Sequence, residues 1–187
     1  MGHCRKNLSD IKKKIIFMKI DPQYWINRLG LKKHPEGGYF KETYRCDETV
    51  CMNALPKRFA EDKAFSTAIY FLLKGEQTSY FHRLKADELW HFYHGSSLTL
   101  HIIDPHGDYN KIQLGSNFEN GETFQRIIKN GAWFGATVDD HTSYSLTGCT
   151  VAPGFGFNDF ELANRDQMLK MYPEHALIIK KLTLPFL

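Results

Sequence analysis

Phe81-His82-Arg83-Leu84-Lys85-Ala86-Asp87-Glu88-Leu89-Trp90-His91-Phe92-Tyr93-His94-Gly95 lies between two strand-like runs, Ser66 to Leu73 before it and Ser97 to Ile103 after it. The stretch places His82, Glu88 and His91 within one short β region, and these are side chains that hold a metal or move a proton. A polar and aromatic cluster on a strand has reason to face inward when the strand lines a barrel with a ligand cavity. A period of two puts Glu88, Trp90 and Phe92 on one face and Leu89, His91 and Tyr93 on the other. His91 therefore reaches the cavity of Glu88 only through a bulge; otherwise it faces the surface or a partner.

Outward from this stretch the pattern is β in both directions. Asp21-Pro22 reads as an N-cap with proline at the first helical position, opening a short helix through Leu29 that Gly30 stops. After the Gly37-Gly38 turn or bulge, Tyr39 to Arg45 alternates as a strand, and residues 46–62 read as loop. Strands are expected over Phe65–Leu73, Ser79–Leu84, Glu88–Tyr93, Ser97–Ile103, Lys111–Leu114, Thr123–Ile128, Ala132–Val138 and Tyr144–Val151, with Asn130-Gly131 as a hairpin signal. Asn164 is set to cap a helix that Pro173 ends, and His175–Leu182 is a last apolar stretch free to pack on the barrel. Many short strands with turns between them define a sandwich or barrel.

Composition narrows the partners. The 187 residues are 42% hydrophobic, 24% charged and 14% aromatic, values of a globular domain with aromatics to spare for pocket lining. A net charge of +3 is too small for a nucleic-acid footprint, and the Lys12-Lys13-Lys14 run lies in the basic tail, residues 1–17. Residues 18–187 form the single domain. No run has the length of a membrane span. Cys4, Cys46, Cys51 and Cys149 match no zinc spacing and read as free thiols in a reducing cytoplasm.

The sequence resembles the cupin superfamily. In its first motif, G-x5-H-x-H-x3-4-E-x6-G, His82, Glu88 and Gly95 fall in place, while Leu84 stands where the second histidine belongs. In its second motif Asn130 lies near the proline and Phe134 replaces the histidine. His34-Pro35-Glu36-Gly37-Gly38-Tyr39-Phe40, Ser66 to Leu73, Trp90 to Gly95, Gly131 to Phe134 and Gly148 to Phe155 look like the cupin-5 group of single-domain cupins. The resemblance covers roughly residues 21–175. Gly37 to Tyr44 is also similar to the start of the metal-free dTDP-4-keto-sugar 3,5-epimerases.

These resemblances imply an all-β cupin jelly-roll barrel with a few short flanking helices and a homodimer. With two of four metal ligands apolar, no metal and no cofactor are expected. His82 is the expected general base, oriented by Glu88, with His91 a third candidate. Thr67, Tyr70, Trp90, Gln125, Trp133 and Phe134 are the candidate ligand-binding residues. The expected activity is a metal-independent isomerase, epimerase or lyase on a small polar or sugar-like molecule. A non-catalytic ligand-binding cupin and a metal-dependent dioxygenase or isomerase are the alternatives.

Overall fold

The computed structural model describes residues 21–185; the tail assigned to residues 1–17 lies outside them. A helix, α1 (Pro22–Leu29), opens the described chain. It is followed by β1 (Lys32–Lys33), β2 (Tyr39–Arg45), β3 (Thr49–Val50), β4 (Lys63–Ala64), β5 (Thr67–Lys74), β6 (Thr78–Leu84) and β7 (Asp87–Gly95). Then come β8 (Leu98–Ile103), β9 (Tyr109–Leu114), β10 (Gln125–Ile128), β11 (Trp133–Val138), β12 (Tyr144–Ala152) and β13 (Phe160–Leu162). Two helices, α2 (Arg165–Met171) and α3 (Ala176–Lys181), close it. Local chemistry sets the ends. Asp21 accepts a hydrogen bond from the Tyr24 N–H at 2.7 Å, Gly30 takes the left-handed conformation, and Asn164 caps α2 through the Gln167 N–H.

A six-stranded sheet, β1-β2-β5-β12-β7-β10, faces a five-stranded sheet, β13-β6-β11-β8-β9, and β3–β4 form a small ribbon. The named ladders all pair antiparallel. This is a jelly roll whose two sheets stay open at their edges. Asn130-Gly131 does not make a hairpin, because β10 pairs with β7 while β11 pairs with β6 and β8. The turn carries the chain from one sheet to the other, and the Asn130 N–H and side-chain amide are tied to Asp87 at 2.9 Å each.

Alternation sorts the side chains. Phe71, Leu73, Trp90, Leu98, Leu100, Phe134, Ala136 and Cys149 fill the space between the sheets. The outer face of the five-stranded sheet is also covered: Phe81, Ile103 and Trp133 pack against Met168, Ile179 and Leu182 of the C-terminal segment. Double coverage is why β8 and β11 are buried at every position. On the other sheet α1 sets Trp25 and Ile26 against Leu72, Tyr144 and Leu146, and the Trp25 indole donates to the Tyr144 hydroxyl at 2.8 Å.

Candidate functional site

The β5–β12–β7 register places the inner row of the large sheet. Thr67 stands opposite Val151, Ile69 and Trp90 opposite Cys149, and Glu88 opposite Val151. From the facing sheet come His82 and Leu84 on β6 and Phe160 on β13, where Phe160 pairs with Leu84. Between them lies a cavity of about 110 Å³, walled by Phe40, Ile69, Phe71, Leu84, Trp90 and Val151, together with Phe155, Phe157 and Phe160. Glu42 and Arg45 also border it. They bind each other bidentately, at 3.1 and 2.7 Å, and Arg45 donates further to the Phe155 carbonyl.

The floor holds an acid–imidazole pair that sequence reasoning missed. The segment His34 to Gly38 closes a turn, Gly37 N–H to His34 O and His34 N–H to Gly38 O, both at 3.1 Å. This turn pushes Glu36 inward. Gly37 has φ +107°, and a Cβ there would stand 2.1 Å from the Thr78 carbonyl oxygen, so only glycine fits. Glu36 Oε2 lies 3.1 Å from His82 Nε2, and Oε1 accepts from the Ser79 hydroxyl at 2.8 Å. The Glu36 N–H donates to His34 Nδ1 at 3.3 Å.

Proton positions follow from these partners. His82 Nδ1 must donate to the Tyr80 carbonyl, 2.8 Å away, because a carbonyl only accepts. Nε2 of the neutral ring then carries no proton, so the Glu36 carboxyl supplies one. Burial supports this state from both sides. It lowers His82 to about 3 and holds Glu36 well above the ordinary carboxyl range, helped by the nearby Glu88 carboxylate. Burial also lowers His34 to about 4. Glu36–His82 is thus a neutral hydrogen-bonded couple with its proton on the acid.

Glu88 is the second carboxyl in the cavity, 7% exposed, and burial raises it to about 7. The Trp90 indole and the Cys149 thiol stand by its carboxyl and pull it partly back. Even so, Glu88 Oε2 and Trp90 Nε1 are both buried without a hydrogen-bond partner. The Cys149 thiol is held protonated by burial and by the two carboxyls.

The expected residues therefore separate. His82, Glu88, Thr67 and Trp90 line one cavity. His82 does not pair with Glu88, since both its ring nitrogens are engaged by Tyr80 and Glu36. Phe134 backs the site with its ring 4.1 Å from that of His82. Trp133 lies on the far side of its strand, under the C-terminal segment with Arg83 over its ring. His91 and Gln125 do meet, at 3.0 Å, but on the outer face of the large sheet, where His91 also binds Thr150 and stacks on Tyr93. Tyr70 packs edge-on against the same Tyr93. The Tyr93 hydroxyl rests against Gly148, where a Cβ would come within 2.4 Å. The alternation excluded His91 from the cavity, and no bulge restores it.

The described residues hold no group of three His, Cys, Asp or Glu side chains arranged to grip a metal ion. Leu84 and the Phe134 ring offer no donor where cupin ligands are expected, and Glu36 occupies the free nitrogen of His82. This donor set does not fit a resident metal, and no step below passes through one.

A two-sheet jelly roll with an acid-lined cavity between the sheets defines the class: a small-molecule-binding cupin. The chain belongs to the cupin superfamily (DUF985), whose family model matches residues 23–163. It is 27% identical to the uncharacterised protein YML079W of Saccharomyces cerevisiae over 165 residues, 82% of each chain. Among solved structures it is similar to protein SO0799 from Shewanella oneidensis, with 37% identity, a TM-score of 0.80, and 88% of this chain and 98% of that one covered. A hypothetical protein from Leishmania major is similar at 35% identity and TM-score 0.80, covering 87% and 98%. Oxalate decarboxylase from Bacillus subtilis shares the fold at 15% identity and TM-score 0.50, over 80% of this chain and 36% of the decarboxylase.

Proposed function

We propose that the protein is a metal-independent isomerase or lyase that moves a proton on a small molecule held in the cavity. Glu88 is the base. One observation carries this: a buried carboxyl with a free oxygen in the cavity and a pKa raised to about 7, where a general base works best at neutral pH. The Glu36–His82 couple supplies the acid, since its proton sits on Glu36, and His82 accepts the hydrogen bond that keeps it there. His82 itself, lowered to about 3, makes a poor base at neutral pH. The apolar walls favour a substrate with a hydrocarbon body over a sugar, whose hydroxyls would find few partners.

Glu88 takes a proton from carbon; Glu36 gives its proton to another atom of the same molecule or to a leaving group as its bond to carbon breaks, and exchange with water then resets both carboxyls. In heavy water an isomerised product gains deuterium. Cell extract incubated in heavy water with the wild-type protein is expected to yield a metabolite labelled at one carbon, read by mass spectrometry. Glu88→Gln and Glu36→Gln protein should give no label while staying folded by circular dichroism. Equal labelling by Glu88→Gln overturns the assignment. The reading extends to a cytoplasmic homodimer; free Cys46 and Cys51 and the open edge of β2 support it.

A further inference from the structure

We infer that the cavity selects an uncharged ligand that offers a hydrogen-bond acceptor to the Trp90 indole: a small carboxamide or ketone with a hydrocarbon body. The inference rests on the reading of the cavity as the working site, but on no particular reaction there. Trp90 is 1% exposed and its Nε1–H has no partner. An indole N–H can only donate, and leaving it buried and unpaired is unfavourable. Glu88 Oε2, two positions earlier on the inner face of β7, is in the same condition. One ligand can serve both. Its carbonyl oxygen accepts from Trp90, and an adjacent N–H, O–H or acidic C–H faces Glu88.

Charge decides between ligands of one shape. An anion would accept from Trp90 but would sit beside the Glu88 carboxylate. The guanidinium that borders the cavity, Arg45, is already taken by Glu42 and by the Phe155 carbonyl. A small ammonium ion would suit the aromatic walls and Glu88. It brings only donors, however, and would set positive charge against the Trp90 N–H. A neutral amide or ketone is the ligand that leaves no group in the cavity opposed. The volume, about 110 Å³, lies below the ~150 Å³ apolar cavity that admits benzene, which keeps the ligand small.

Three probes that share one isopropyl body test this: isobutyramide, isobutyrate and isobutylammonium. The full chain, labelled with ¹⁵N at its three tryptophans, gives three indole N–H signals, and Trp90→Phe identifies the one at the site. Isobutyramide at pH 7 is expected to move the Trp90 signal saturably and to bind at least tenfold more tightly than either ion. Trp90→Phe should weaken the amide at least tenfold by calorimetry. Should that variant fold poorly, Glu88→Gln serves instead. With one carboxylate gone, it should narrow the gap between isobutyramide and isobutyrate. Tighter binding of isobutylammonium, a saturable amide complex that leaves the Trp90 signal unmoved, or no saturation by any probe overturns the inference. The deuterium experiment is independent: labelling that depends on Glu88 survives the wrong ligand class, and charge selectivity survives the absence of labelling.

Discussion

At Glu88 function and stability pull against each other. Below the usual carboxyl value of 4.5, folded and unfolded chains both hold the proton. As pH rises to about 7 the unfolded chain releases it and the folded chain does not, so stability falls across that window and levels above it. Glu88→Gln removes this loss. It should raise stability at pH 8 by up to about 3 kcal/mol, at ~1.4 kcal/mol per pH unit, and change little at pH 4.5. Urea titrations at the two pH values check it; a variant equally destabilised at both would show that Glu88 is not held at a raised value. His82 and Glu88 were legible in the sequence because a motif and a strand period both point to them. Glu36 was not. It sits in a turn, where no period applies, and its inward aim comes from the conformation of Gly37 and the contact with Thr78. A carboxyl beside two glycines was the available signal.

Two elements bring the site together. The first is the His34–Gly38 turn. Gly37→Ala would force a Cβ against the Thr78 carbonyl at a positive φ; the expected cost is about 2 kcal/mol or more, read by chemical denaturation, with loss of the Glu36–His82 contact. The second is the segment from Pro153 to Asp159, which bears Phe155 and Phe157. Its end is pinned by Lys63, buried on β4, whose ammonium lies 2.5 Å from Asp159 and 2.6 Å from Glu61. Lys63→Met would leave Asp159 buried with only Lys85, 3.5 Å away. The expected loss is about 3 kcal/mol, with faster amide exchange from Gly154 to Asp159. Adding Asp159→Leu should recover part of it. The strands themselves were legible from alternation and turn residues. What escaped were pieces two or three residues long, β1, β3, β4 and β13, which no period can reveal, and the fate of Asn130-Gly131, a sheet-to-sheet crossing that local turn chemistry does not distinguish from a hairpin.

In the whole molecule, one border of the large sheet is left partly unpaired among the described residues. In the described chain β1 covers only Tyr39 and Phe40, leaving Lys41 to Arg45 at the border of the large sheet beside exposed Tyr44. An edge of this kind invites a second copy. Light scattering at micromolar concentration is expected to give twice the chain mass of 21.7 kDa, and a monomer would refute it. The C-terminal cover has a different consequence, one of timing. The Phe81 N–H bonds to the Leu182 carbonyl at 2.7 Å, and the Phe81 carbonyl accepts from the Ala163 N–H. A strand near the middle of the sequence thus waits for residues made about a hundred positions later. During synthesis, at about 5–20 residues per second, the outer face of the second sheet stays bare for some seconds. Contacts so distant in sequence also slow folding in the test tube. Chains halted before α3 should emerge from the ribosome as clients of chaperones rather than as finished domains.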